Sequence, residues 1–240
     1  MLRFIFIALS TALIAFTMNA MNIPLPADEL LINKTNDFDI SGDGSAKNWE
    51  NAQWVAIPQR SSAGADYPTK AKLLYSSTGI YCLFSCEDKI LTNTMQADFL
   101  DLWNEDVIEF FLQPDAKQST YFEYELSPLN YELPILVFNQ KGNFNSWLPF
   151  HYEGQRKTKH ATTIIGGEKK SKATVSGWTV EAFIPFKLLS PLMKNLPASG
   201  TTWKGNLYRI DYDKGEALWS WQLTSGNFHE YEKFGTLRFE

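Results

Sequence analysis

Apolar residues recur at every second position along most of the chain, and no stretch combines helical spacing with capping residues at its ends. The pattern is that of strands. It predicts them over Trp54 to Pro58, Ala71 to Ser76, Gly79 to Glu87, Asp106 to Gln113, Tyr121 to Ser127, Ile135 to Asn139, Ala161 to Ile165, Gly177 to Pro185, Thr202 to Asp213 and Gly235 to Phe239. Turn signals such as Ser77-Thr78-Gly79 and Lys214-Gly215 separate many of them. Short helical connectors are expected at Asn48 to Ala52, near Asp98 to Trp103 and at Phe186 to Leu192. About ten strands with no interleaved helices predict an all-β fold, an antiparallel two-sheet β-sandwich of jelly-roll type.

Alternation in the strand after Asp106 places Ile108, Phe110 and Leu112 on one face, and Glu105, Val107, Glu109 and Phe111 on the other. Glu109 therefore shares a face with apolar neighbours. An acid in that setting belongs at a sheet's rim or inside a concave site, because burying it unpaired is costly.

The chain opens with a processing signal. Met1-Leu2-Arg3 is a short basic segment, and Phe4 to Phe16 is apolar apart from Ser10 and Thr11, too short to span a bilayer. Residues 1–20 read as a signal peptide cleaved near Ala20, although bulky Met18 sits two positions before it. No cysteine follows to carry a lipid anchor, so the expected location is secreted or periplasmic, with no transmembrane segment in the mature chain. Residues 27–240 then form one domain, without internal repeats or a linker.

Composition narrows the function. The formal net charge of -5 argues against a nucleic-acid surface, which needs a basic stripe. The basic run Arg156-Lys157-Thr158-Lys159-His160, with Lys169, Lys170 and Lys172, flanks Gly166-Gly167 and reads as a solvated hairpin. Cys82 and Cys86, four apart on one strand, lie about 13 Å apart and beyond disulfide reach, so both are expected as buried free thiols. His151, His160 and His229 are too scattered for a zinc site.

The candidate chemistry lies in Leu102-Trp103-Asn104-Glu105-Asp106-Val107-Ile108-Glu109. A pyranose offers apolar C–H faces and equatorial hydroxyls, so a protein that grips one needs a flat aromatic ring and fixed polar groups, which Trp103 and Glu109 supply. Asp106 also has a structural reading, turning the chain into the strand. Glu123 and Glu125 share a face at a distance workable for glycoside hydrolysis, which leaves a hydrolase as the alternative. Glu105 and Glu109 stand too far apart along one strand. No nucleophile elbow or phosphate-binding loop is present in the sequence.

An ordered set of motifs resembles the family 9 carbohydrate-binding modules and their family-9-like relatives. It runs from Ser41-Gly42-Asp43-Gly44 and Asn48-Trp49-Glu50-Asn51-Ala52 through Gly79-Ile80-Tyr81, Glu87-Asp88, the Trp103-to-Glu109 segment and Tyr121-Phe122-Glu123-Tyr124-Glu125. Gly177-Trp178-Thr179-Val180-Glu181-Ala182, Ile184-Pro185-Phe186, Trp203 to Arg209, Trp221, Phe228-His229 and Phe234-Gly235-Thr236-Leu237 follow. The resemblance covers nearly the whole mature chain. It implies a β-sandwich that holds a glucan- or xylan-type sugar between two tryptophans.

Carried over by position, Trp103 matches the first tryptophan and Glu109 the carboxylate six residues later. The second tryptophan is expected to be Trp219 or Trp221, and Arg209 is expected beside Glu109 or a sugar hydroxyl. Where the modules use an arginine and an asparagine, this chain has Glu123, Glu125 and Asn130. Trp49, Trp54, Trp178 and Trp203 are expected in the core, and His229 in a structural role. The resemblance also admits structural calcium, for which Asp43, Asp88, Asp211 and Asp213 are the available oxygen donors, but no EF-hand spacing occurs and no metal is assigned. No other cofactor is called: the wider superfamily's haem ligation would need Met95 or Met193 with a histidine, and spacing does not support it. A ligand-free structural domain of the cell envelope is the remaining reading.

Overall fold

The computed structural model describes residues 28–61, 66–141 and 143–240; the expected signal peptide lies outside them. Thirteen strands form one curled sheet: β1 (Glu29–Lys34), β2 (Val55–Ala56), β3 (Thr69–Tyr75), β4 (Gly79–Glu87), β5 (Val107–Gln113), β6 (Thr120–Leu126), β7 (Glu132–Gln140), β8 (Asn143–Pro149), β9 (Lys159–Ile165), β10 (Gly177–Pro185), β11 (Thr202–Asp211), β12 (Ala217–Ser220) and β13 (Gly235–Phe239). Helical segments occur where the sequence places them, as one-turn pieces at Lys47–Asn51, Leu102–Asn104 and Ser190–Leu192 and a four-residue helix, α1, at Phe186–Leu189, and two more one-turn pieces, Gly154–Arg156 and Tyr231–Lys233, were not expected. No helix among the described residues is long and apolar enough to cross a membrane.

The spatial order is β8-β7-β6-β5-β11-β13-β1-β3-β4-β10-β9, with β12 beside β11 and β2 beside β3. Strand β1 is the hinge of this order. Its first part, Glu29 to Ile32, pairs with β13, and its last two residues, Asn33 and Lys34, pair with β3. Both pairings are parallel, which departs from the expected all-antiparallel sandwich. The hydrophobic pattern sorts a strand's residues between its two faces but does not set the direction of its neighbour.

The two halves of the curl enclose the main core. Ile108, Phe110 and Leu112 of β5 and Phe122 of β6 meet Cys82 and Phe84 of β4 and Val180 of β10 there. The expected inward set of β5 is thus confirmed. Its other face is also covered, because Val107 and Phe111 join Tyr121, Ile135, Tyr208 and Ile210 in a second apolar cluster on the outer side. Every residue of β5 is buried. This two-sided burial is what places Glu109 in a concave site.

Three strands escape the sequence pattern. Leu30, Leu31 and Ile32 are consecutive apolar residues in β1, which hides a period of two; Leu30 and Ile32 enter the core while Leu31 is exposed. Strand β12 has only four residues, and β8 has no buried residue among those it contains. Trp49, Trp178 and Trp203 lie in the core as expected, but Trp54 is 41% exposed, with the Lys70 and Lys72 ammonium groups 4.5 and 4.9 Å from its ring centroid. Two cationic neighbours on an edge position keep that indole at the surface.

Cys82 and Cys86 are free and buried. Burial pushes both thiols up to about 12. The nucleophile in thiol exchange is the thiolate, so neither cysteine is expected to react with an aromatic disulfide reagent at pH 8 in the native state, and both are expected to react once guanidinium unfolds the chain. Prompt labelling of the native protein would contradict this placement.

Candidate functional site

Trp103 stands in the one-turn segment Leu102–Asn104 that leads into β5. The adjoining acids hold that segment. Glu105 accepts hydrogen bonds from the backbone N–H groups of Thr94 and Met95 at 2.7 and 3.0 Å, and Asp106 accepts from those of Thr92 and Tyr212 at 2.5 and 2.9 Å. The Tyr212 hydroxyl donates to the Trp103 carbonyl at 3.1 Å. Asp106 therefore ties the strand entrance to two neighbouring segments, a structural task close to the turn expected of it.

Trp147 of β8 meets Trp103 with ring centroids 5.5 Å apart and planes at 77°. Both indoles are half-buried. They wall a cavity of about 440 Å³ that also has Phe144 and Phe228 on its sides, Glu109, Glu123, Ile135 and Ile210 at its floor, and Glu216, Asn227 and His229 at its rim. Phe228 is fixed by stacking on Tyr208 at 4.0 Å.

A β-bulge builds this wall. The register of β7 against β8 shifts between Phe138 and Asn139, so Val137 faces Trp147 while Asn139 faces Phe144. Phe144 and Trp147, three apart in sequence, are thereby brought to the same face of the hairpin. Neither was found by reading the sequence, because a strict period of two assigns them to opposite faces.

The floor carries three acids. Glu109 lies directly across from Glu125, and Glu123 across from Phe111, so β5 and β6 turn all three carboxylates to the outer face. Glu109 and Glu123 reach the cavity, whereas Glu125 is completely covered. Burial pushes Glu109 up to about 8, and burial together with the neighbouring carboxylates raises Glu123 and Glu125 well above the usual range. His229 Nδ1 lies 2.8 Å from the Tyr121 hydroxyl and 3.8 Å from Glu123 Oε2, and burial holds the imidazole down at about 4. It is accordingly neutral near pH 7. His229, expected in a structural role, turns its ring to a tyrosine at the pocket rim.

Arg209, Trp219 and Trp221 do not join this pocket. Tyr208 is paired with Glu109 and Arg209 with Ile108, so the arginine points to the inner face, on the opposite side of the sheet from Glu109. There it is completely buried, with Nη2 2.7 Å from Asp211 and 3.2 Å from Asp88, and Nη1 donating to Thr69 Oγ1 at 3.0 Å and the Glu87 carbonyl at 2.7 Å. Trp219, opposite Arg209 in the β11–β12 ladder, lies under the guanidinium with its ring centroid 4.8 Å from Cζ. Trp219 is 1% and Trp221 0% exposed, both inside the main core. The expected late-strand tryptophan is thus replaced in the pocket by Trp147.

The aspartates considered for calcium fit that ion poorly. Asp88 and Asp211 already share the Arg209 guanidinium, and the Trp178 indole N–H donates to Asp88 at 2.7 Å. Asp213 accepts from the Tyr67 hydroxyl at 3.0 Å and the Ile90 N–H at 3.2 Å. Asp43 accepts from the Ser41 hydroxyl and from the Ser45 N–H at 2.9 Å. The cation of the buried cluster is Arg209, with burial pushing Asp88 up to about 6 against its pull.

The chain belongs to the carbohydrate family 9 binding domain-like family, whose model matches residues 40–240. An extracellular protein of Arthroderma benhamiae is 29% identical over 147 residues, which are 59% of this chain and 62% of that protein. The chain thus matches less than two thirds of that relative's length. Among solved structures, a protein of Bacteroides uniformis proposed to bind carbohydrate superposes with a TM-score of 0.73 at 16% identity, covering 88% of this chain and 99% of the other. A family 9 carbohydrate-binding module of Caldicellulosiruptor kristjanssonii, solved with cellotriose, gives 0.62 at 17% identity and covers 88% and 93%. The same organism's module with glucose gives 0.61 at 17% identity and covers 88% and 95%. At these identities the structural likeness is one of fold.

The placement of Arg209 has a measurable consequence. Removing one partner of a buried ion pair leaves the other charges uncompensated, so Arg209→Met is expected to lower the unfolding free energy by about 3–5 kcal/mol in urea titrations. A variant as stable as the wild type would return Arg209 to the candidates for ligand contact.

Proposed function

We propose that this chain is an exported, non-catalytic carbohydrate-binding domain, and that its ligand is a neutral glucan- or xylan-type saccharide held in the Trp103–Trp147 pocket. The observation that carries the reading is the pair of half-buried indoles meeting at a corner directly above a carboxyl-lined floor. A sugar ring laid on one indole has its edge against the other, while its hydroxyls reach Glu109 and Glu123. Family membership supports the ligand class, as do the cellotriose and glucose bound by the Caldicellulosiruptor module. The cavity volume of about 440 Å³ falls in the size range of small-ligand sites.

Binding is favoured over hydrolysis by the state of the acids. A glycosidase must present two carboxyl groups to the scissile bond. Of the pair considered for this role, Glu123 borders the cavity but Glu125 has no exposed surface. Export is supported by the basic-then-apolar opening of the sequence and by the extracellular name of the Arthroderma relative.

Isothermal titration with cello- and xylo-oligosaccharides tests the reading. Weak binding is expected, since a site of this size buries little area. Trp103→Ala and Trp147→Ala are each expected to weaken it about tenfold, the equivalent of one lost aromatic contact of about 1.4 kcal/mol. Trp54→Ala, at an exposed edge remote from the pocket, is expected to leave affinity unchanged. Silence of the wild type across a broad panel of glycans would overturn the proposal in favour of a structural domain.

A further inference from the structure

The structure holds two buried acidic clusters that are neutralised differently. Asp88, Asp106 and Asp211 bring oxygens within 4.8 Å of one another, and Arg209 pairs with Asp88 and Asp211. Glu109, Glu123 and Glu125 likewise bring oxygens within 4.8 Å of one another, yet among the described residues no lysine or arginine pairs with any of them. The basic side chain recorded beside them is His229, 3.8 Å from Glu123 and engaged by Tyr121 at 2.8 Å.

A second observation is independent of the clustering. As carboxylates, both oxygens of Glu125, whose side chain is completely buried, and Glu123 Oε2, at a residue only 4% exposed, find no donor outside the cluster; the one partner within reach is a proton shared between Glu123 and Glu125. Buried polar atoms are almost always satisfied, and an orphaned carboxylate is the costliest exception. A shared proton satisfies one pair of these oxygens and leaves the others without a donor, whereas a cation would serve all of them.

We propose that Glu109, Glu123 and Glu125 form a divalent-cation site, sized for calcium, at the floor of the pocket. Calcium accepts carboxylate oxygens at about 2.3–2.6 Å, so two oxygens on one ion stand up to about 5 Å apart, which accommodates the spacing of the three. It takes about six to eight oxygen ligands, more than three glutamates fill when some bind through one oxygen only. Glu109 and Glu123 border the open cavity, so the ion has an entry path and its remaining positions face the space where the indoles stand. Water fills those positions in the free protein. Vicinal hydroxyls of a saccharide replace it in the complex; this last step rests on the carbohydrate reading, whereas the ion site does not.

The experiment is calorimetric and thermal titration of the chelator-treated, full-length protein with calcium chloride alone, followed by oligosaccharide titration with and without calcium. One calcium ion per chain and a rise in melting temperature are expected. Glu125→Gln, which removes a buried charge without changing shape and so should fold, is expected to weaken calcium binding about tenfold or more. Trp147→Ala should retain calcium while binding sugar about tenfold more weakly, and Asp43→Asn should retain both. Absence of calcium heat and of any thermal shift would overturn the ion site, and sugar binding that persists in chelator would show that the carbohydrate reading stands without it. Preferential binding of glucosamine oligomers over neutral ones, with no response to calcium, would also overturn it by assigning the floor to an ammonium group. Equal calcium affinity in wild type and Glu125→Gln would place the ion elsewhere and overturn the assignment.

Discussion

A strand that buries both of its faces must find cover on each side, and that demand on β5 organises this molecule. Ile108, Phe110 and Leu112 close the space between the halves of the curled sheet, while Val107, Glu109 and Phe111 require a second cover on the outside. The cover is assembled from the Trp103 segment, the β7–β8 hairpin and the segment bearing Phe228 and His229. It is incomplete, and the gap is the pocket. The same alternation that builds the core thus delivers carboxylates to the bottom of a cavity, which no isolated surface strand would do.

One residue of register separates two electrostatic solutions. Arg209 lies inward beside Ile108 and neutralises Asp88 and Asp211, whereas its neighbour Tyr208 faces outward beside Glu109. The inner cluster has an arginine paired with two of its acids and braces the closed side of the sheet. Its outer counterpart has the acids without the arginine. Charge in a low-dielectric setting is strongly disfavoured unless paired, so an unbalanced cluster that borders solvent is better suited to meeting a ligand than to holding the fold together.

Much of this was legible in the sequence. Period-two alternation located most of the strands, and the run from Trp103 to Glu109 correctly placed an acid on an otherwise apolar outer face. The distance along one strand was enough to predict that Cys82 and Cys86 stay unbridged. What failed depended on pairing. Arg209 is adjacent in space to the strand of Glu109 but on the other side of it, a fact set by which residues of β5 and β11 face each other. Trp219 and Trp221 were the tryptophans expected opposite Trp103, but both lie in the main core. Trp147 was hidden by the bulge that breaks the alternation of β8. Local pattern reports the two faces of a strand; only the ladder reports which of them meets solvent.

On the proposed reading the outward-facing indoles, and not the buried ones, meet the sugar. Nuclear magnetic resonance of the indole N–H groups tests it directly, because each of the 8 tryptophans gives its own signal. On titration with a cello-oligosaccharide, the signals of Trp103 and Trp147 are predicted to move progressively while those of Trp49, Trp178, Trp219 and Trp221 hold still. Movement confined to the buried set, with Trp103 and Trp147 unchanged, would contradict it.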